Sequence, residues 1–243
     1  MSKTVFLSYA YYETQTSKTH LEFFLKHGIT SNMTVFINIK DKCTVDTTIF
    51  ENVFVFYAEE NVGYDFRSHK ENLTELKRRN GFVYDFYIMM NDGCLGPFYN
   101  GGGNWHDTFT DKLNKKIKLV GTNYVRIQGP MGKYSGKFPY NHKRQWSVGG
   151  WFFCTDVIGI NILYGLYNLH DIENYGDAHA LENMNGRWMK KNGYGVDGIL
   201  KGLKNGKVID PYKVVIFKVK YNPTCFHTSA VQNLLRSDEP ESL

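Results

Sequence analysis

Tyr84-Asp-Phe-Tyr-Ile-Met-Met90, followed at once by Asn91-Asp92-Gly93, is the stretch from which the architecture is read. A nearly continuous apolar run marks a strand covered on both faces, as in a parallel α/β sheet, and predicts a central strand. On its N-terminal side, Val5-Phe-Leu-Ser-Tyr9, the β-branched run Met33–Ile39 and Val53–Tyr57 predict further strands. Between the first two, Leu21, Phe23, Phe24 and Leu25 recur at near-helical spacing and stop near Gly28. Leu73 and Leu76 lie in a second helix ending in Lys77-Arg-Arg79 before Gly81, the basic last turn and trailing glycine that a helix C-terminus favours. With Ile117–Gly121 as the closing strand, alternation over residues 1–120 implies right-handed βαβ units. Ligands then belong beyond the strand carboxyl ends, in the loops after Tyr57 and Met90.

The second half is less regular. Residues 126–148 read as a long loop, and Lys133, Lys137, His142, Lys143, Arg144 and Trp146 in it could close over a ligand and exclude water. Trp151–Cys154 predicts a buried strand, Val157–Tyr167 an apolar helix, and Ala180–Lys191 a second helix ending at Gly193. Residues 213–220 alternate Lys with apolar groups, as an edge or half-exposed strand does, and 237–243 form a polar tail.

A chain of 243 residues, 42% hydrophobic, is long enough for one full core. No apolar run approaches a membrane span, and the N-terminus lacks the core and cleavage site of a secretory signal. Cys43, Cys94, Cys154 and Cys225 form no C-x-x-C pair, which fits a reducing, cytoplasmic setting, and the sequons at Asn32 and Asn72 carry little weight there. Residues 1–110 hold 10 basic and 13 acidic groups, and 111–243 hold 19 and 11. The basic groups of the second half are dispersed rather than gathered into a stripe, which argues for a solvated face and against nucleic acid as partner.

Asp92, at a strand carboxyl end, is where a carboxylate can ligate Mn²⁺ or Mg²⁺, since hard divalent ions take one or two protein carboxylates plus phosphate oxygens. The alternative at Asn91-Asp92-Gly93 is a plain Asx-turn. The segment Asn61-Val-Gly-Tyr-Asp65-Phe-Arg67-Ser-His-Lys70 follows another strand and opens a helix. Gly63 allows a tight turn, Asp65 could cap the helix or bind ribose, and Arg67 and Lys70, one turn apart, could meet a diphosphate. The same residues also make an ordinary helix start.

The ordered series Asn61-Val-Gly-Tyr-Asp65-Phe, Lys70, Tyr84-Asp85 with its strand, Asn91-Asp-Gly and Gly96-Pro97-Phe98 resembles the rhamnan-synthesis F-type glycosyltransferases, and more loosely GT-A glycosyltransferases at large. The resemblance is strongest over residues 51–125 and continues through Trp105, Phe109, Val120-Gly121, Gly149–Phe153, Glu182 and Gly193-Tyr194. In its single-domain size the chain is also similar to small glycosyltransferases of large algal viruses, which would place it in the host cytoplasm. The resemblance implies an α/β, GT-A-like (Rossmann-like) fold with a mixed, mainly parallel sheet flanked by helices. It implies a single domain over 1–236, with 1–125 the nucleotide-sugar-binding half and 126–236 the acceptor-binding half. It further implies a UDP-, GDP- or dTDP-sugar donor, a glycan acceptor, and Mn²⁺ (or Mg²⁺). Asn61, Gly63, Asp65, Arg67, Lys70, Asn91 and Asp92 would hold the nucleotide and diphosphate, with Asp92 and His227 on the metal. The chain departs from the Asp-x-Asp pattern of the broad GT-A group, carrying one carboxylate with Cys94 at the second position, and Gly93 departs from the Asn-Asp-Ser of the form it most resembles.

Inverting transfer needs a carboxylate to take the acceptor proton. Glu182 is the candidate, at the start of an expected helix, with Asp177 and Asp156 as rivals and a helix-dipole residue as the plain alternative. Trp105, Trp146 and Trp151 are candidate sugar platforms or core residues. A non-catalytic carbohydrate- or nucleotide-binding protein on the same fold is the competing class.

Overall fold

The computed structural model describes residues 3–58, 64–127, 145–169, 171–173, 175–201 and 215–218. The four apolar runs of the first half form β1 (Val5–Tyr11), β2 (Met33–Ile39), β3 (Val53–Tyr57) and β4 (Phe86–Asn91), while α1 (Gln15–Gly28) follows β1 and α2 (Tyr64–Arg79) precedes β4. The strands lie parallel in the order β3-β2-β1-β4. α1 opens on a capping box: Ser17 N–H donates to Thr14 Oγ1 at 3.1 Å and Thr14 N–H to Ser17 Oγ at 2.6 Å. Orphan amides at the helix start are thereby satisfied.

Burial explains why β1, β2 and β4 read as mostly apolar runs. α1 lays Leu21, Phe24 and Leu25 against Val5, Leu7 and Tyr9 on one face of the sheet. α2 lays Phe66, Leu73 and Leu76 against Phe6, Phe36 and Tyr87 on the other. With helices on both faces, alternate side chains of β1 enter different cores and all seven of its residues are buried. Tyr87 through Met90 of β4 are likewise inaccessible, and β4 is central as expected.

The chain continues through β5 (Cys94–Leu95) and α3 (Asp107–Thr110) to β6 (Ile117–Ile127), β7 (Gln145–Val148) and β8 (Phe152–Asp156). α4 (Val157–Asn168), α5 (Tyr175–Lys191), β9 (Gly195–Lys201) and β10 (Phe217–Lys218) complete it. β8 is antiparallel to β4 and to β6, and β6 pairs antiparallel with β7 and parallel with β9. The protein is thus a single α/β domain with a mixed sheet, parallel through its first four strands and flanked by helices. α4 and α5 add Ile160, Leu163, Leu166, Leu181 and Met184 to the core under α2. Among the described residues no helix is long and apolar enough to cross a membrane.

Several expectations for the second half are corrected. The closing strand runs past Gly121 to Ile127, because pairing with β7 and β9 carries its polar residues Thr122 and Asn123 into the sheet. Residues 145–148, read as loop, are β7, and β9, with glycines at 195 and 198, is a strand that its composition hides. α5 begins at Tyr175 rather than Ala180, so Glu182 lies in mid-helix and not in a first turn. Of the expected strand over 213–220, Val215 and Ile216 are buried and β10 pairs antiparallel with β5.

Candidate active site

β2 and β3 extend the sheet on one side of β1 and β4 on the other, so the strand order reverses between β1 and β4. That reversal is the topological switch point, where the crevice beyond the carboxyl ends of an open α/β sheet admits a ligand. Asn91-Asp92-Gly93 stands at this point. Asp92 N–H donates to Ala10 O at 3.0 Å, and Tyr12 N–H, just past the end of β1, donates to Asp92 Oδ2 at 2.8 Å. His20 on α1 donates through Nδ1–H to Asp92 O at 2.8 Å, which fixes its tautomer, and burial pushes its pKa down. The Asx-turn is present as well, with Gly93 N–H 3.1 Å from Asn91 Oδ1. The turn is closed by the Asn91 side chain, and beside it the Asp92 carboxylate is held by Tyr12 N–H.

Asn91 ties this turn to the start of α2. Its Nδ2 donates to Asp65 Oδ2 at 2.6 Å and its backbone N–H to Trp151 O at 3.0 Å. Asp65, Asn91 and Asp92 therefore converge as the sequence suggested. Glu182 reaches the same neighbourhood from α5, its Oε1 accepting from Gly150 N–H at 2.7 Å, one residue before Trp151. The approach requires glycine: a Cβ at 150 would lie 2.8 Å from Phe66 Cζ and 3.1 Å from Glu182 Cγ. The rivals have structural duties. Asp156 caps α4 through Gly159 N–H at 3.0 Å and pairs with Lys118 Nζ, while Asp177 is buried and accepts from Glu173 N–H at 3.1 Å.

Two expectations fare differently. Arg67 Nε is 3.0 Å from Glu71 Oε1, and with Lys70 it lines a side groove of about 530 Å³ shared with Glu71, Glu75, Asp171 and Glu173. Carboxylates outnumber cations in that groove, so it is a poor diphosphate cradle. Trp105 is core, not platform: its Nε1–H donates to Gly28 O at 2.8 Å and its ring packs edge-on against Phe109. Trp151 is partly buried against the same core, whereas the side chain of Trp146 and residues Asn61, Gly63, 128–144 and His227 lie outside the described residues.

Lys40 is the site residue that sequence reasoning missed. It directly follows β2, half-buried, with Asp65, Asp92, Glu71 and Arg67 acting on its charge. The available signal was a lone cation immediately after an apolar strand, at a carboxyl end. Exposed aromatic rings border the same edge, Tyr12 at 41% and Tyr64 at 46% exposure.

Beneath the crevice lies a buried polar network. Asn72 Nδ2 donates to Ser8 Oγ at 2.9 Å and to Phe36 O at 3.0 Å, leaving the Ser8 hydroxyl to donate to His69 Nδ1 at 2.9 Å. His69 is neutral in this arrangement, and burial pushes its pKa down to about 4, a shift opposed by Asp65 and reinforced by Lys40. Between pH 6.5 and 4 the unfolded chain therefore takes up a proton that the folded one refuses, and stability falls as pH drops through this window. The loss is on the order of 3 kcal/mol by linkage. Chemical denaturation across that range should show the slope in the wild type and lose one proton's worth of it in His69→Gln; equal slopes would refute the assignment.

Among the described residues no group of three His, Cys, Asp or Glu side chains is placed to hold a metal. The described residues thus offer no closed protein cage, but a hard divalent ion that draws most of its oxygens from a diphosphate fits a single carboxylate such as Asp92. No protein-family model matches the chain, and no curated protein matches it either.

Proposed function

We propose that the chain is a glycosyltransferase that moves a sugar from a nucleoside-diphosphate donor to a glycan hydroxyl with inversion. The convergence of Asp65, Asn91 and Asp92 at the switch point between β1 and β4 carries this reading, and the resemblance of the same segments to rhamnan-synthesis F-type glycosyltransferases supports it. Residues 1–125 would bind the nucleotide sugar and 126–236 the acceptor. Asp65 and Asn91, bonded to each other, orient the nucleotide side of the donor. Asp92 holds Mn²⁺ or Mg²⁺, which when bound supplies charge to the leaving diphosphate. Glu182 takes the proton of the acceptor hydroxyl as its oxygen forms the bond to C1, and the C1–O bond to the diphosphate breaks with its electron pair leaving on that oxygen. The scattered cysteines, without a C-x-x-C pair, suit a reducing, cytoplasmic setting for this activity.

The test is a thermal-shift panel of UDP, GDP, dTDP and their sugar conjugates, each with and without Mn²⁺. A ligand at 100 times its Kd adds ~2.7 kcal/mol of stability, so a real donor is easily seen. One diphosphate should stabilise the protein, and more strongly with the metal. No shift from any nucleotide would end the transferase reading and leave a glycan-binding protein on this fold.

A further inference from the structure

Lys40 and Asp92 flank the end of β1 from opposite sides. Lys40 N–H donates to Tyr11 O at 3.0 Å on the β2 side, and Asp92 N–H to Ala10 O at 3.0 Å on the β4 side. Each neighbouring strand is ~4.8 Å away, which sets the two backbones about 10 Å apart across the crevice. The Lys40 ammonium stands 5.9 Å from the Tyr64 ring centroid. Tyr64 opens α2 with φ at 52°, a left-handed backbone that a bulky residue adopts at a cost and that places its ring at this edge.

An ammonium carries three donors and no acceptor, and partial burial without acceptors is unfavourable. Among the described residues no hydrogen bond and no ion pair within 4.0 Å reaches Lys40 Nζ. Asp65, Asp92 and Glu71 act on it only at longer range, while burial weighs against its charge. Arg67 is held by Glu71, and Lys70 faces the acidic side groove. Lys40 is therefore the cation at the switch-point edge whose donors await acceptors, and phosphate oxygens would supply them.

Resting on the transferase reading, we infer that Lys40 binds the diphosphate of the donor and of the departing nucleotide directly, giving the site a share of diphosphate affinity that needs no metal. The recognised chemistry is a diphosphate, whatever base it bears. Titration calorimetry in EDTA tests it, with UDP, GDP, dTDP and inorganic pyrophosphate set against the matching nucleosides. The wild type should prefer the diphosphate over its nucleoside without metal. Lys40→Met keeps the apolar stem and should lower that preference about 10-fold or more, while nucleoside affinity, the control for folding, stays unchanged. Lys40→Arg should restore part of it. A preference that Lys40→Met leaves intact, or a wild type that prefers diphosphate only with Mn²⁺, overturns the inference and spares the transferase reading. A wild type that binds no nucleoside diphosphate with or without Mn²⁺ overturns both.

Discussion

Glu182→Gln is expected to slow sugar transfer by about 10²- to 10⁴-fold, the usual contribution of a positioned general base, while leaving nucleotide affinity and melting temperature nearly unchanged. The second half of that expectation follows from the geometry. Glu182 Oε1 accepts from Gly150 N–H at 2.7 Å, and the amide oxygen of Gln can accept the same bond. Its backbone carbonyl keeps its bond from Ser147 Oγ at 3.2 Å, and among the described residues no ion pair engages its carboxylate. What Gln cannot do is take a proton from an acceptor hydroxyl. The readouts are single-turnover transfer and nucleotide Kd measured on the same preparation. Transfer at the wild-type rate would remove Glu182 as base, and a product with retained anomeric configuration would remove the inverting mechanism with it.

Where the sequence was read well, one feature of the chain signalled one feature of the fold. β1, β2 and β4 are buried on both faces, so their runs are mostly apolar, broken inside only by Ser8, Thr34 and Asn38, and Asp92 stood out because it directly follows such a run. Where it was read poorly, tertiary pairing outweighed local pattern. β7 holds Gln145 and Ser147, β9 holds two glycines, and both are strands because β6 lies between them with its hydrogen bonds to offer. The site divides in the same way. Asp65 and Asn91-Asp92 stand in two segments that each follow a strand, and Asn91 joins them in space through its bond to Asp65. Arg67 and Lys70 share a helix face with Glu71 and Glu75, and the i,i+4 spacing of Arg67 and Glu71 is legible, but Asp171 and Glu173 come from about a hundred positions away and only the folded chain brings them there. Lys40 carried only a weak signal, a cation directly after an apolar strand, because what distinguishes it is partial burial without an acceptor, a property of the fold.

Substitution at Asp92 separates the role of its charge from that of its hydrogen bond with Tyr12 N–H. Asp92→Asn keeps an oxygen for Tyr12 N–H, which now lies 2.8 Å from Oδ2, and leaves the backbone bonds to Ala10 O and from His20 Nδ1 in place. Its stability should therefore match the wild type, while the additional thermal shift that Mn²⁺ gives a nucleoside diphosphate disappears and transfer falls by about two orders of magnitude or more, since charge on the leaving group is worth several kcal/mol. Asp92→Ala removes the acceptor for Tyr12 N–H as well, and should add a loss of ~1 kcal/mol in stability to the same loss of metal response. If the carboxylate serves only as the acceptor for Tyr12 N–H, the pattern reverses: Asp92→Asn retains transfer and the metal-dependent shift, and Asp92→Ala is weakened through stability alone. Melting curves with and without Mn²⁺ and nucleotide, run on both variants, distinguish these outcomes even before the acceptor is known.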